Sequence, residues 1–237
     1  MSKFVIEAVN ITKVLGSGAS QVKALDGVNL SLRTGELVLL MGPSGCGKTT
    51  LLSVLGCMLS PTQGVVRLSG HLTSRLGPEQ LAKLRREYLG FVFQSYHLFP
   101  TLSALDNVRL TLDVRRERSK QATVKAKNAL SIVNIAHKAE LYPQELSTGE
   151  QQRVAIARSI VGGAAMLLAD EPTAALDSAN GHSIMTVLSR MARDFSRGVL
   201  VVTHDPRILP FADRIIRMED GRIVGEERGL RHANELH

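Results

Sequence analysis

A glycine-rich segment at residues 42–49 carries the clearest chemistry in the sequence, since it matches the pattern GxxxxGK[ST] in full. Glycines at this spacing let backbone N–H groups turn inward around phosphate oxygens. The lysine of the pattern reaches the β- and γ-phosphates of a nucleotide, and the adjoining hydroxyl ligates Mg²⁺. The residues predicted to hold the nucleotide are Gly42, Pro43, Ser44, Gly45, Cys46, Gly47, Lys48, Thr49 and Thr50, with Thr49 also on the metal.

The segments on either side of this loop support the interpretation. Residues 37–41 form a continuous apolar run, which is typical of a strand buried on both faces of a sheet. A helix is predicted from about residue 47 to residue 55. An accidental glycine-rich turn is the alternative. However, a strand, a glycine-rich turn and a helix in this order open a nucleotide-binding α/β unit.

Two carboxylates stand at the end of a second apolar run. Residues 166–169 are apolar, and Asp170 and Glu171 follow them directly. An aspartate at the end of a buried strand suits Mg²⁺ held through water, and the next acid can polarise an attacking water molecule. A pair that only caps the strand is the alternative. Beside a phosphate loop, we predict Asp170 as a metal residue and Glu171 as the catalytic base.

The remaining elements follow from the apolar periodicity. Short alternating runs predict strands, and recurrence at helical spacing predicts helices. The predicted elements are a β-rich layer over residues 4–32, a strand over 89–93, a helical subdomain over about 103–139, a helix over 178–195, a buried strand over 199–203, a terminal hairpin over 215–225 and a polar tail from 227.

Composition limits the class of protein. No stretch approaches the roughly 20 apolar residues of a membrane span, and the N-terminal residues lack a signal-peptide core. Cys46 and Cys57 make no disulfide framework. We therefore expect a cytoplasmic chain.

The charge balance is basic, because 29 Lys and Arg against 22 Asp and Glu give a net charge of +7. Such a balance can serve nucleic acid, an anionic membrane surface or anionic ligands. No basic block contains interleaved aromatic residues, so no nucleic-acid partner is expected. The densest run, residues 115–118, is interpreted either as a solvated helix face or as a surface near anionic lipid.

A third motif precedes the second carboxylate strand. It consists of Leu146, Ser147, Thr148, Gly149, Glu150, Gln151, Gln152 and Arg153. These residues resemble the LSGGQ signature of the ABC ATPases and the helix that follows it. The resemblance implies that Gln94 contacts Mg²⁺ and the lytic water, that Asp177 lies in the D-loop, and that His204 is the switch histidine at the γ-phosphate. The six motifs occur in the family order over residues 4–226.

The resemblance also implies a fold: α/β, with a P-loop NTPase core of the ABC type, an antiparallel β layer at the N-terminus and an inserted α-helical subdomain. One ABC ATPase domain would cover residues 1–237, with the core at about 1–95 and 160–226, the helical subdomain at about 96–159 and a polar tail at 227–237. The cofactors would be ATP and Mg²⁺. In the family, the signature binds the γ-phosphate held by the opposite subunit, which implies a homodimer. The signature residues are Ser147, Thr148, Gly149 and Glu150.

One branch of the family is most similar in motif detail, namely the lipoprotein-releasing and macrolide-export ATPases and their glycolipid-export relatives. The similarity lies in residues 91–100, 106–108, 169–173 and 175–178. It implies a transmembrane permease as partner and a peripheral location on the inner face of the plasma membrane. Two other classes are disfavoured. DNA-acting relatives carry a long coiled coil, and residues 50–146 have no sustained heptads. P-loop kinases and GTPases have no use for the signature.

Several residues depart from the family pattern or extend it. Thr148 replaces a signature glycine, and Leu15 stands roughly where relatives place an aromatic residue on adenine. Cys46 lies just before the predicted helix and beside Lys48, which favours a reactive thiolate, so we expect thiol reagents to inhibit and Mg-ATP to protect. Residues 96–99, after Gln94, mix apolar and polar side chains and are predicted to contact the membrane partner.

Overall fold

The computed structural model describes residues 4–117, 120–193 and 197–229. Within these residues the chain forms two β-sheets and six α-helices. The strands are β1 Ile6–Leu15, β2 Val22–Leu32, β3 Leu37–Met41, β4 Gln63–Leu68, β5 His71–Leu72, β6 Leu89–Val92, β7 Met166–Asp170, β8 Gly198–Thr203, β9 Arg214–Glu219 and β10 Arg222–Arg228. The helices are α1 Lys48–Leu55, α2 Pro78–Tyr88, α3 Ala104–Val114, α4 Lys120–Ile132, α5 Thr148–Ile160 and α6 Ser178–Arg193.

The larger sheet has six strands in the order β10-β9-β3-β8-β7-β6. Five of them run parallel, and β10 pairs antiparallel with β9 at one edge. Because parallel strands end at the same edge of a sheet, the loops after β3, β6, β7 and β8 meet there. This edge therefore collects the glycine-rich loop, Gln94, the two carboxylates Asp170 and Glu171, and His204.

The apolar run of β3 shows why these strands are buried on both sides. Leu37 and Leu39 belong to one hydrophobic cluster, whose helical part comes from α3, α4, α5 and α6. Val38 and Leu40 belong to a second cluster, which includes α1, α2 and the smaller sheet. Alternate side chains of a strand point to opposite faces, so a strand between two cores must be apolar throughout.

The smaller sheet is antiparallel, with the order β2-β1-β4-β5. It is tied to the larger sheet by backbone hydrogen bonds at the turn of the β9–β10 hairpin. Gly221 N–H donates to the carbonyl of Cys46, and Asp26 N–H donates to the carbonyl of Gly221, both at 2.9 Å. A turn far along the sequence therefore joins the smaller sheet to the glycine-rich loop.

The segment after β6 is fixed to α3 by a buried amide. Asn107 is fully buried, and its side chain accepts from Phe99 N–H at 2.8 Å. It also donates to the carbonyls of Phe99, Leu102 and Ser103. Because all four groups are backbone groups, this single residue sets the path of residues 99–103.

Two expectations differ from the structure. The sequence interpretation assigned no element to residues 56–88, where β4, β5 and α2 lie. The polar tail expected from residue 227 is wrong at its start, since Glu227 and Arg228 pair with β9 as part of β10. Ion pairs from Glu226 to Arg214 and from Glu227 to Arg217 join β10 to β9. The polar residues of this segment do not by themselves indicate a strand.

Other predictions extend beyond the described residues. The tail from residue 230, the last residues of the predicted 178–195 helix and Arg118 of the basic run lie outside them. None of the helices that the structure describes is both long and apolar enough to cross a bilayer.

Replacing Asn107 by alanine should destabilise the fold. The change leaves buried backbone groups without partners, at about 1–3 kcal/mol for each group that water cannot reach, so we expect the free energy of unfolding to fall by about 2–4 kcal/mol. Urea denaturation measures the loss. Asn128→Ala is the control, because Asn128 is exposed on α4. Equal stability of the two variants would contradict the anchoring role of Asn107.

Candidate nucleotide-binding and hydrolysis site

The glycine-rich loop lies between β3 and α1 and is closed by neighbouring backbone. A Cβ atom at Gly42 would overlap the carbonyl oxygen of Met218, and one at Gly47 would overlap that of Ala24. Gly47 is also left-handed, with φ of 105°, a conformation that glycine adopts at little cost. The glycines are therefore required by packing as well as by the curvature of the loop.

Lys48 lies inside this curve. Its ammonium donates to the carbonyl oxygens of Gly42 and Pro43, both at 2.7 Å, and the residue is only 8% exposed. The side chain therefore folds back over the loop that it follows in sequence. A phosphate group seated in the loop would meet this cation together with the N-terminus of α1.

Thr49 and Asp170 face each other across the edge of the sheet. The Thr49 hydroxyl donates to Asp170 Oδ1 at 3.4 Å. Burial raises the pKa of the Asp170 carboxyl, and the neighbouring Glu171 adds to the rise. A cation at this position would relieve that repulsion.

The donors at this point are oxygens, which Mg²⁺ prefers, and Mg²⁺ is commonly bound by one or two protein groups with substrate phosphates and water. No group of three or more His, Cys, Asp or Glu side chains within the described ranges could form an all-protein metal cage. The residues present thus fit a metal that enters with a nucleotide.

Glu171 and His204 form a close pair beside Asp170. His204 Nδ1 lies 2.6 Å from Glu171 Oε1. The other carboxylate oxygen, Oε2, is buried and has no partner among the described residues. Glu171 holds a left-handed backbone, with φ of 47°, and its N–H donates to Val202. The arrangement holds one carboxylate oxygen against His204 and buries the other without a partner among the described residues.

These residues line one cleft of about 1040 Å³. The predicted residues that line it are Pro43, Ser44, Gly45, Gly47, Lys48, Thr49, Thr50, Gln94, Asp170, Glu171 and His204. Sequence reasoning missed Val22, Lys23, Asp220 and Gly221, which line it too. Leu15 and Val22 are cross-strand neighbours and form an exposed apolar end of the cleft. The pairing of β1 with β2 is what brings Val22 there.

The signature residues lie outside this cleft, at the start of α5. Ser147 caps the helix, its hydroxyl accepting from Glu150 N–H, while the Glu150 carboxylate accepts from Ser147 N–H. The Lys138 ammonium holds the pKa of Glu150 below its usual value. Ser147 and Thr148 are exposed, so this helix start points to solvent rather than to the cleft of its own chain.

Thr148 causes no backbone strain at the position where the family has glycine. It is the first residue of α5 and is not in the left-handed region. Gly149, by contrast, is closely packed, since a Cβ there would lie 3.0 Å from Asn180 Oδ1 and the Asn180 side chain would have to shift. The threonine at this position is therefore accommodated by the helix.

Asp177 also lies outside the cleft. Its carboxylate accepts from the N–H and the side-chain amide of Asn180, at 2.9 and 2.7 Å. These bonds hold the pKa of Asp177 below its usual value. Because Asn180 also contacts Gly149 closely, the D-loop and the start of α5 adjoin each other. A further link runs from the fully buried Gln152 of α5, which donates to the carbonyl of Pro172 at 2.8 Å.

Cys46 differs from the expectation. Cys46 is only 4% exposed and packs in the core beneath the loop, although its sulfur lies 3.9 Å from Lys48 Nζ. The thiol expected to be accessible in the phosphate loop is therefore covered by protein. The tight turn directs this side chain away from the cleft, which does not include it. Cys57 is buried as well, and burial raises its pKa to about 11.

The segment after Gln94 is held by an arginine of α5. Arg158 donates to the carbonyls of Tyr96 and His97, both of which have left-handed backbone. Leu98 packs against the helical core cluster, whereas Phe99 is 49% exposed. Of the predicted contact surface, Phe99 is thus the apolar residue that faces outward.

Known proteins of similar sequence define the family. The profile described as ABC transporter matches residues 25–174. The macrolide export ATP-binding/permease protein MacB of Salmonella typhimurium is 42% identical over 219 residues, covering 92% of this chain and 34% of MacB. MacB of Escherichia coli is 39% identical over 229 residues, or 97% of this chain and 35% of MacB. The chain thus spans about a third of the length of these curated relatives.

A relative of similar length comes from Methanocaldococcus jannaschii. Its uncharacterized ABC transporter ATP-binding protein MJ0796 is 41% identical over 227 residues, which is 94% of this chain and 97% of that protein. The dimeric post-hydrolysis structure of MJ0796, bound to ADP and Pi, has a TM-score of 0.86 at 39% identity and covers 94% of this chain and 98% of that one. The expected fold class is confirmed. The chain therefore belongs to the ABC transporter family, as an ATP-binding and ATP-hydrolysing cassette.

Proposed function

We propose that two copies of this chain close around two ATP molecules with Mg²⁺ and drive a conformational change in a transmembrane permease. The observation that carries the proposal is the position of the Glu171 carboxylate, which follows Asp170, contacts His204 and lines the same cleft as Lys48. A carboxylate in this position is able to take a proton from water beside a bound γ-phosphate.

The reaction assigns a role to each side chain at the edge of the sheet. Water oxygen forms a bond to the γ-phosphorus, the bond from that phosphorus to the bridging oxygen of ADP breaks, and the water proton goes to Glu171. Thr49 and Asp170 would hold Mg²⁺, which neutralises phosphate charge when bound. Gln94 orients the water, and His204 releases Glu171 Oε1 to contact the γ-phosphate.

The signature supports a head-to-tail dimer. Ser147 is exposed and points away from its own cleft, so its helix start can reach a phosphate only on a second copy. Backbone N–H groups at a helix N-terminus bind such anions. The related MJ0796 structures are described as dimeric. By two-fold symmetry, both sites of a homodimer are then equivalent.

The membrane partner is inferred from the relatives. The name of MacB combines an ATP-binding part with a permease and with macrolide export. We place this chain in the cytoplasm, peripheral on the inner face of the plasma membrane through its permease. Its work would be export, or the handling of lipid, lipoprotein or peptide at the cell envelope. Phe99 is the exposed apolar contact offered to that partner.

The first test replaces Glu171 with glutamine. The amide cannot accept the water proton, so kcat should fall about 100-fold or more while ATP binding is kept. The variant should also accumulate as a dimer with ATP, because hydrolysis no longer allows the closed dimer to open. Phosphate release and size-exclusion chromatography give the two readouts.

Glu140→Gln serves as the control for this test, since Glu140 is an exposed residue between α4 and α5. It removes the same charge without touching the cleft. Near-parent turnover by Glu171→Gln would show that another group activates the water.

The apolar end of the cleft can be tested with Leu15→Phe. Aliphatic contact with a base is weaker than aromatic stacking, which contributes about 1–3 kcal/mol per base. We expect KM for ATP to fall about fivefold with kcat unchanged. Val9→Phe is the control, because Val9 is exposed on the same strand but outside the cleft. If only the control altered KM, the base would lie elsewhere.

The partner contact can be tested with Phe99→Glu. A charge at this exposed position should prevent stimulation of the ATPase by the permease and leave ATP binding intact. Co-purification with the permease and ATPase assays of the complex provide the measurements. Val224→Glu is the control, since Val224 is exposed on β10. Leu98→Glu is a less specific test, because Leu98 is partly buried against the helical core cluster and its replacement would also disturb packing. Full coupling in Phe99→Glu would remove this surface from the proposal.

A further inference from the structure

One arginine holds the switch loop, residues 204–207, to the start of α6. Arg207 ends this loop and lies in the short 3₁₀ helix Pro206–Phe211, which leads from β8 to β9. Its guanidinium donates to both carboxylate oxygens of Asp205 and to the hydroxyl of Ser178. Arg207 does not line the nucleotide cleft, and the roles proposed above do not include it.

The contact between Arg207 and Asp205 uses two points of the guanidinium. Arg207 Nε lies 2.9 Å from Oδ1 and 3.0 Å from Oδ2, and Nη2 lies 2.8 Å from Oδ2. A planar guanidinium fits a carboxylate in this way, whereas an ammonium acts as a point charge. The Arg207 guanidinium holds the pKa of the Asp205 carboxyl below its usual value. Asp205 therefore stays ionised and oriented at neutral pH.

Asp205 in turn fixes the backbone of the switch loop. Its N–H donates to the Thr203 hydroxyl at 3.0 Å, and its Oδ1 accepts from Arg207 N–H at 2.9 Å. Thr203 is fully buried at the end of β8. His204 lies between Thr203 and Asp205, so its backbone is restrained, while its imidazole side chain is exposed. The ring can therefore turn without a movement of the loop.

The remaining contact ties the switch loop to the D-loop. Arg207 Nη1 donates to the Ser178 hydroxyl at 2.8 Å. Ser178 begins α6 and directly follows Asp177, whose carboxylate accepts from Asn180. The Asn180 side chain lies against Gly149 at the start of α5. A continuous path of contacts therefore runs from the switch loop through the D-loop to the signature helix.

Another exposed arginine shows what distinguishes this link. The side chains of Arg207 and Arg217 are 59% and 54% exposed, and each donates to a carboxylate through Nε and Nη2. Exposed ion pairs add little to stability. The pair of Arg217 with Glu227 joins two strands that already pair through their backbones. Arg207 instead joins a loop to a helix remote in sequence, so its effect is on geometry rather than on stability.

We propose that Arg207 is a positioning residue for ATP hydrolysis, which fixes the switch loop to the D-loop so that His204 meets the γ-phosphate in one orientation. The inference rests on the proposed function, since that function assigns His204 to the γ-phosphate. Arg207 contacts neither nucleotide nor water and acts through Asp205 and Ser178. With the loop held in this way, His204 needs only to exchange its contact with Glu171 for one with the phosphate.

ATPase assays of the full chain with Arg207→Met test this inference. Methionine is unbranched and flexible but has neither the charge nor the donors of arginine. Misplacement of a catalytic group by about 1 Å can cost about 100-fold in rate. Because the switch loop would stay attached to β8, we expect a smaller fall in kcat, of about tenfold. KM for ATP and the Kd of a fluorescent ATP analogue should stay within about twofold of the parent values, since the phosphate loop is untouched.

Arg217→Met is the matched control, since it removes a similarly exposed arginine and a comparable carboxylate contact outside the cleft. Its kcat should equal that of the parent. An equal fall in kcat for both variants would mean that loss of surface charge alone acts. A rise in KM with kcat unchanged in Arg207→Met would mean that the residue serves nucleotide binding. Either result, or parent kinetics in Arg207→Met, would overturn the positioning role.

Ser178→Ala tests the link to the D-loop separately. Because this change breaks one of the contacts that Arg207→Met also removes, the double variant should be no slower than Arg207→Met alone. If the two reductions in kcat multiply instead, the residues act independently and the proposed link is wrong. All rates are compared with the parent, so these ratios remain decisive if Glu171 proves not to be the base. Conversely, parent activity in Arg207→Met beside an inactive Glu171→Gln would reject the role of Arg207 alone.

Discussion

The phosphate loop depends on a pair of backbone hydrogen bonds that meet at Gly221. This residue donates to the carbonyl of Cys46 in the loop and accepts from Asp26 of the smaller sheet. Three segments widely separated in sequence are thereby joined at one turn. The backbone passes so close to neighbouring carbonyl groups at Gly42 and Gly47 that a Cβ at either position would overlap them. The positions of Lys48, Thr49 and the start of α1 follow from this restraint.

Most of the site could be predicted because its chemistry is local in sequence. The glycines of residues 42–49 predict the turn that these residues form. Asp170 and Glu171 directly follow a strand that its apolar residues alone predict. Gln94 and His204 required the family resemblance, because a single polar residue after a strand says nothing by itself. The parallel topology then brings these strand ends to one edge, which the apolar runs had implied.

What escaped prediction depends on contacts distant in sequence. Val22 reaches the cleft only through its register opposite Leu15. The burial of Cys46 follows from the direction of the turn, which the residue types do not reveal. Glu227 and Arg228 look like a solvated tail until β9 supplies Arg214 and Arg217 as ion partners for the strand that contains them. In each case the position of the residue depends on its neighbours in the folded chain.

The bond from Gln152 to the carbonyl of Pro172 has a consequence for a dimer of this chain. In the proposed dimer, the start of α5 would touch the nucleotide of one site, while Gln152 joins the same helix to the residue after Glu171 of the other. A shift of this helix on binding one phosphate would then reach Glu171, the proposed base, of the opposite site. Hydrolysis of the two ATP molecules would then be coupled, so that the two sites would not act independently.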